Sequence, residues 1–259
     1  MSWFQVFFLS IVQGLTEFLP VSSSGHLVLF QKIFGLEPPV LFDVFVHVGT
    51  LGAIIFYFKR ELKKLIEGIF KKENKSLYFL FLIVIGTIPA VIVGLLLEKR
   101  IEVIFDSFRL VGISLLITGL LLLLTNIFKD KLKKGKVVSS NWKDALFIGI
   151  FQALAILPGI SRSGATISAG LFRRFGRDLA FKFSFFLAIP AIIGALILQI
   201  PDLVSSSSYL INQALIGMVI AGIVGFFALK ILRKVLVSSK LHIFAIYCLL
   251  LGVGVLLFS

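Results

Sequence analysis

Long apolar stretches alternate with short polar ones along almost the whole chain. Six apolar stretches have the length of one membrane crossing, and they lie near 40–58, 77–97, 110–128, 183–200, 209–229 and 241–258. A helix needs about 20 residues to cross ~30 Å of hydrocarbon. Two further stretches, 3–34 and 145–172, are interrupted by polar residues, proline and glycine. The pattern predicts an all-α integral membrane protein with about six transmembrane helices.

Composition agrees with this class, because 58% of the 259 residues are hydrophobic, against roughly 45–50% in soluble domains. The net charge of +13 could indicate a nucleic-acid partner. However, 21 of the 26 Lys and Arg residues fall into four blocks, at 59–75, 129–143, 173–182 and 230–240. Short basic loops stay cytoplasmic. We therefore interpret the charge as a topology signal and predict no nucleic-acid partner.

The two interrupted stretches carry a related polar motif, displaced by 139 residues. The first copy runs from Gln13 through Glu17 and Pro20 to His26, and the second runs from Gln152 through Pro158 to Thr166. The offset pairs Gln13 with Gln152, Ser22 with Ser161, Ser24 with Ser163 and Gly25 with Gly164. The match predicts a weak internal repeat in which each copy breaks a membrane helix.

Charge placement predicts how these broken helices are arranged. If all four basic blocks are cytoplasmic, the stretch between Lys143 and Arg173 must turn back, and Pro158 with Gly159 supplies the turn. Such non-helical backbone at membrane depth must be buried in protein or line a polar cavity. Each repeat then has one re-entrant hairpin and three crossings, so the two repeats have inverted topology and both termini face outward. We predict a single membrane domain over 1–259, with repeat one at 1–128 (hairpin 2–34) and repeat two at 143–259 (hairpin 143–172).

Ionisable residues inside such segments are candidates for function. Arg162 has a planar fork that suits bidentate phosphate binding, and its structural alternative is a buried pair with Glu17. Gln13 and Glu17 are four residues apart and share a helix face, which offers two oxygen groups to a hard cation such as Mg²⁺. The serines of both motifs either cap the second half-helices or bind phosphate at helix N-termini.

Three histidines and one cysteine remain to be interpreted. His26 follows the first hinge closely and could transfer protons. His47 and Asp43 either face the same cavity or make only a hydrogen bond along their helix. His242 reads as an interfacial residue, and Cys248 as a small buried hydrophobe.

The two motifs resemble the undecaprenyl-diphosphatase family of the bacitracin-resistance type. The first matching motif is Gln13 to Glu17 together with its continuation Pro20-Val-Ser-Ser-Ser-Gly-His26. The other is Pro-Gly-x-Ser-Arg-Ser-x-x-Thr, present as Pro158 to Thr166, and the segment from Phe42 to Thr50 extends the likeness. The resemblance implies hydrolysis of undecaprenyl diphosphate to undecaprenyl phosphate and inorganic phosphate, which recycles the lipid carrier for cell-wall synthesis.

The resemblance also implies a divalent cation, Mg²⁺ or Ca²⁺, and a site open to the external face of the bacterial cytoplasmic (inner) membrane. The expected catalytic residues are Ser23, His26, Glu17 and Arg162, and the expected metal ligands are Glu17 and Gln13. The expected substrate-binding residues are Ser22, Ser24, Gly25, Ser161, Ser163, Gly164 and Thr166.

Our hypothesis for the chemistry is that Ser23 attacks the terminal phosphorus, activated by His26 or Glu17. The rivals are His26 as the attacking group and direct attack by water. An alternative function is a lipid-phosphate flippase or an anion transporter, since inverted repeats with broken helices are common in transporters. The expected partners are a polyprenyl diphosphate lipid and the membrane, and the sequence leaves a homodimer open.

Overall fold

The computed structural model describes residues 1–36, 40–97, 101–105, 107–128, 141–199 and 208–258, and it is helical with no strand over these ranges. The α-helices of the first half are α1 (Trp3–Phe18), α2 (Ser23–Ile33), α3 (Val40–Tyr57), α4 (Lys59–Phe70), α5 (Asn74–Leu97), α6 (Ile101–Phe105) and α7 (Phe108–Leu124), which a 3-10 turn, Thr125–Phe128, extends. Those of the second half are α8 (Trp142–Leu154), α9 (Arg162–Phe172), α10 (Arg177–Gln199), α11 (Ser208–Val237) and α12 (His242–Leu257).

Within the described ranges, four helices are long and apolar enough to cross a membrane. These candidate spans are Asn74–Leu97, Phe108–Ile127, Arg177–Leu198 and Leu210–Val237. A fifth is reached only if α3 and α4, bent by 75° at their junction, count as one span. The last apolar helix, α12, is shorter. The described residues therefore form an all-helical, multi-pass membrane protein with four or five candidate spans, and the number six remains a prediction.

Both interrupted stretches fold as helical hairpins. Their legs run antiparallel, so the open ends of each hairpin lie together. In the first hairpin the Phe8 and Phe30 rings are 4.8 Å apart. In the second, Arg173 Nε lies 2.5 Å from the carboxylate of Asp144. Each break contains a proline, Pro20 in the first and Pro158 in the second, and a serine caps the second leg.

Close glycine contacts hold each hairpin against a long helix of the other half of the chain. A Cβ on Gly14 of α1 would lie 2.8 Å from the carbonyl oxygen of Ala221 in α11, and one on Gly149 of α8 would collide with the carbonyl oxygen of Gly86 in α5. Backbones approach this closely only where side chains are small. The first leg of each hairpin therefore packs tightly against a helix from the other half of the chain.

The basic block at 59–75 is not a simple connecting loop as the charge pattern suggested. It contains the helix α4, which turns away from α3 by 75°. The basic block at 129–143 lies almost wholly outside the described residues. Residues 98–100, residue 106 and the loop at 200–207 also lie outside them.

An aromatic core lies under the two hinges. Phe185 and Phe186 of α10 are buried with Phe58 at the end of α3, and the Phe18 ring lies 5.6 Å from Phe185. Phe18 is the last residue of α1. Packing of Phe18 in this core therefore fixes the position of the end of α1, where the first hinge begins.

Candidate active site

The first hinge is built around Ser22, the N-cap of α2. Its Oγ accepts hydrogen bonds from the backbone N–H of Gly25 at 3.2 Å and of Gly159 at 3.1 Å. Its φ of +71° is unusual for a residue with a side chain. Such a conformation costs of the order of 1–3 kcal/mol and persists where surrounding contacts fix it. Ser22 therefore joins the two hinges.

The second hinge repeats the capping arrangement at α9. Ser161 is the N-cap, and its Oγ accepts from the N–H of Gly164 at 3.1 Å. Thr118 of α7 holds the loop, since its hydroxyl accepts from Ser161 N–H at 3.0 Å and donates to the Gly159 carbonyl at 2.9 Å. Gly159 has φ of +94°, and a Cβ there would meet Val111. The loop fits only glycine at this point.

The two hinges pack directly on each other. A Cβ on Gly25 would lie 3.1 Å from the Cα of Gly159, and one on Gly164 would lie 3.2 Å from Pro20. The N-termini of α2 and α9 therefore converge. Helix N-termini carry partial positive charge and unpaired N–H groups, which favour an anion between them.

Glu17 is the centre of the polar cluster that lies at this junction. Arg162 Nη2 lies 2.6 Å from Glu17 Oε1, and the Ser23 hydroxyl donates to Oε2 at 2.7 Å. Gln13 Nε2 donates to the same oxygen at 3.2 Å, and His47 Nε2 is 3.9 Å from it. The ion pair between Glu17 and Arg162, which the sequence offered as the structural alternative to phosphate binding, is therefore present across 145 residues of sequence.

A cavity of about 470 Å³ opens beside the cluster. Its polar end is lined by eight side chains, namely Thr16, Glu17, Ser23, Ser24, His47, Gln152, Ser161 and Arg162. Its apolar walls come from α5 between Thr87 and Leu95, from Ala155 to Ile160, and from α10 between Pro190 and Leu198. Arg162 is one of these lining residues, and its Nη1 is buried without a hydrogen-bond partner. The cavity thus joins an anion site to an apolar slot.

Other predicted residues support the hinges rather than line this cavity. Ser163 Oγ lies 3.2 Å from Ser161 Oγ, and Thr166 Oγ1 lies 2.6 Å from Ser184 Oγ. Ser22 serves as the cap described above, and Gly25 and Gly164 are the points of hinge contact. Gln13 is fully buried behind Glu17.

His26 lies apart from the cavity. Its Nδ1 is 2.7 Å from the Ser22 carbonyl oxygen, which can only accept, so this nitrogen carries the proton. Its Nε2 is 2.6 Å from the Tyr247 hydroxyl. Both ring nitrogens are therefore engaged by groups other than Ser23 and Glu17.

The histidine that does line the cavity is His47. Its Nδ1 lies 2.7 Å from the Asp43 carbonyl oxygen four residues earlier, while its Nε2 points toward Glu17. The hydrogen bond along the helix and the cavity position therefore coexist. Thr16 and Gln152 are cavity residues that were not among the expected site residues. For Gln152 the repeat with Gln13 was the available signal.

The expected metal site contains one carboxylate. No three His, Cys, Asp or Glu side chains form a metal-binding group in the described part of the chain. Beside Glu17, however, Gln13 Oε1 is buried without a partner, and a half-turn of the amide would exchange it with Nε2. Mg²⁺ usually takes one or two carboxylates and shares phosphate oxygens of the substrate. The residues fit such a shared cation, not an ion held by the protein alone.

Fold and site together define a multi-pass helical membrane protein whose buried polar site fits a phosphate group beside an apolar chain. Comparison with protein families then identifies the family to which the chain belongs. The chain belongs to the family described as bacitracin resistance protein BacA, which matches residues 6–254. The predicted family resemblance is confirmed.

Curated relatives match over nearly their whole length, and those named here are called undecaprenyl-diphosphatase. The protein of Thermosipho melanesiensis is 42% identical over 95% of both chains. That of Desulfosudis oleivorans is 44% identical over 94% of both chains. That of Halothermothrix orenii is 40% identical over 100% of this chain and 99% of its own.

Proposed function

We propose that this protein hydrolyses undecaprenyl diphosphate to undecaprenyl phosphate and inorganic phosphate. The observation that carries the proposal is the cluster of Glu17, Ser23 and Arg162, placed where two half-helix N-termini meet an apolar slot. Membership of a family with relatives named undecaprenyl-diphosphatase supports the same activity. The product returns the lipid carrier to cell-wall synthesis.

Substrate binding uses the positive groups of the junction. Arg162 holds Glu17 with Nη2 and keeps Nη1 for a nonbridging phosphate oxygen. The convergent N-termini of α2 and α9 add partial positive charge from fixed dipoles. Donors fixed in advance stabilise the charge that develops during phosphoryl transfer without having to reorganise.

Ser23 is the proposed nucleophile and Glu17 its general base. As Ser23 Oγ bonds to the terminal phosphorus, its proton passes to Glu17 Oε2, and the bond from phosphorus to the bridging oxygen breaks. The lipid monophosphate leaves as an anion. Water then attacks the phosphoserine, Glu17 returns the proton to Ser23 Oγ, and dihydrogen phosphate departs. The 2.7 Å hydrogen bond already aligns the first proton transfer.

A divalent cation, Mg²⁺ or Ca²⁺, is proposed to be shared between Glu17 and the substrate, with Gln13 Oε1 as a further ligand. When bound, it would neutralise charge on the phosphate oxygens. Ser24 and Ser161 line the same end of the cavity and are proposed to bind phosphate oxygens. Ser22, Ser163, Gly25, Gly164 and Thr166 are proposed to act through the hinges that they stabilise.

The lipid chain is proposed to occupy the slot between α5 and α10. The two helices pack together in their first halves, where Phe79 and Phe183 lie 6.0 Å apart. Each contains a proline further on, Pro89 and Pro190, and the cavity walls lie at and beyond these prolines. Proline bends a helix by removing a backbone hydrogen bond. The apolar chain of the substrate can therefore lie in this slot, with one end beside the polar cluster and the rest in contact with the membrane lipid.

We also propose the inverted repeat, with both hairpins re-entrant. In support, each first leg runs parallel to the long helix that it contacts, α1 to α11 and α8 to α5. The Met1 carbonyl accepts from Gln213 near the start of α11, and Gly112 near the start of α7 contacts Leu256 near the C-terminus. Both termini thus lie beside the starts of helices that follow the loops at 98–107 and 200–208. The first loop carries two Lys or Arg against three acids and the second carries none, as expected for external loops.

Under this arrangement the chain lies in the bacterial cytoplasmic (inner) membrane, with the active site open to the external face. In a Cys248→Ser background, a cysteine at Phe258 should react with a membrane-impermeant thiol reagent added to intact cells. A cysteine at Lys71 should react only after the membrane is opened, because its basic block is cytoplasmic. The reverse pattern would contradict the topology. Lys133 and Ser206, predicted inside and outside, lie beyond the described residues.

Phosphate release by purified protein in detergent tests the proposed function against a flippase or an anion transporter, because transport is undefined without a membrane. We expect steady release from a polyprenyl diphosphate. Substrate binding without release would favour the transporter. Repeating the assay with a chelator tests the shared cation, and the mass in solution tests the homodimer.

A further inference from the structure

The second glutamine of the repeat, Gln152, lies in the cavity without a partner. The residue is 2% exposed, and neither its Nε2 nor its Oε1 has a hydrogen-bond partner. Its side chain lines the same cavity as Arg162. An unsatisfied buried amide costs about 1–3 kcal/mol, so such groups are rare away from ligand sites.

The repeat itself explains why this amide is free. The offset of 139 residues pairs Gln13 with Gln152 and Glu17 with Ile156. Gln13 donates to Glu17 four residues later on its helix. Gln152 has Ile156 at the corresponding place, which offers no hydrogen-bonding side chain. The second copy of the motif therefore keeps a glutamine but lacks the carboxylate that would hold it.

The position of Gln152 indicates which part of a lipid diphosphate it meets. The reacting phosphate belongs beside Ser23 and Glu17, and the lipid chain belongs in the apolar slot. Ala155 and Ile156, at the turn that follows Gln152, already line the apolar part. The phosphate that joins these two ends lies between them, where Gln152 and Arg162 both line the cavity and their Nε2 and Nη1 atoms are buried without hydrogen-bond partners.

We infer that Gln152 binds the lipid-linked phosphate of the substrate. Its Nε2 donates to a nonbridging oxygen of that phosphate, which positions the terminal phosphate for attack by Ser23. This inference rests on the proposed function, because it assigns a subsite within the same cavity. It predicts that Gln152 distinguishes the two reaction products, of which only the lipid monophosphate carries the lipid-linked phosphate.

Product inhibition in detergent tests the assignment, with farnesyl diphosphate as the substrate. In Gln152→Ala, the inhibition constant of farnesyl monophosphate and the KM should each rise about tenfold, as expected for a lost hydrogen bond to a charged group. The inhibition constant of inorganic phosphate should change less than about twofold, since the subsite beside Ser23 is intact. Gln152→Glu should weaken the binding of farnesyl monophosphate further, because a carboxylate repels the phosphate.

Matched variants keep the result interpretable. Gln213→Ala removes another buried glutamine, on α11, whose Nε2 donates to the Met1 carbonyl far from the cavity, and it should alter neither constant. Gln152→Met retains the side-chain volume and replaces Gln152→Ala if that variant does not fold. Unchanged inhibition by farnesyl monophosphate, or an equal rise for both products, would overturn the assignment. Failure of the wild-type protein to release phosphate would instead reject the proposed function.

Discussion

Arg162→Lys should lower kcat/KM by about 100-fold or more. A lysine keeps the positive charge but has one ammonium group in place of a planar fork. Arg162 uses Nη2 for Glu17 at 2.6 Å, and its Nη1 is buried without a partner, so lysine can satisfy the carboxylate or the phosphate but not both. Loss of one positioned donor to a developing oxyanion costs about 10²–10³ in rate.

The substitution keeps a cation because Arg162→Ala would leave Glu17 buried and unpaired, which destabilises a protein by about 3–5 kcal/mol. Arg173→Lys is the matched control. It lies at the other end of α9, pairs with Asp144 and is outside the cavity, so its activity should stay near that of the wild type. Steady-state kinetics and thermal unfolding in detergent would be measured for both variants. Near-normal efficiency of Arg162→Lys would rule out simultaneous contact of Arg162 with Glu17 and the phosphate.

Ser23→Ala should lower kcat by about 10³-fold or more, since it removes the proposed attacking oxygen. Ser24→Ala is a neighbouring comparison, because Ser24 lines the same cavity and its hydroxyl lies 3.2 Å from the Ser22 hydroxyl rather than on Glu17. The decrease in kcat caused by Ser24→Ala should be far smaller than that caused by Ser23→Ala. Rate alone does not identify the nucleophile, however, because removal of Ser23 also removes a hydrogen bond to Glu17.

Stereochemistry at a chiral terminal phosphorus gives the sharper answer. A phosphoserine intermediate requires two in-line displacements, so we expect net retention together with phosphate trapped on Ser23. Net inversion would eliminate both Ser23 and His26 as nucleophiles and leave direct attack by water. Retention with acid-labile phosphohistidine at His26 would move the role there. The structure favours Ser23 with Glu17 as base, because His26 uses both nitrogens elsewhere.

The hinges show how much local sequence determines. Proline, glycine and serine in the two motifs specify where a helix must stop and where the next can be capped, and these effects act within a few residues. The observed breaks between Phe18 and Ser23 and between Leu154 and Arg162 follow from them. The pairing of Glu17 with Arg162 was also predictable, because a guanidinium in an apolar segment requires a partner.

The roles of the histidines show where local sequence was insufficient. His26 lies within ten residues of Glu17 in sequence, yet α2 turns its ring toward Tyr247 of α12. His47 is thirty residues from Glu17, yet α3 brings its Nε2 to 3.9 Å. Helical periodicity indicates which residues share a face, but not which neighbouring helix that face meets.

By itself, the sequence determined that this is a helical membrane protein of the bacitracin resistance family, with two broken helices and a cluster of polar and charged residues at the breaks. These properties depend on apolar length, on local backbone chemistry and on the cost of burying charge. The tertiary structure decided that His47 and Gln152 line the cavity while His26 does not. Those outcomes depend on helix packing between distant segments, through glycine contacts such as Gly14 with Ala221 and Gly149 with Gly86, and no local pattern records them.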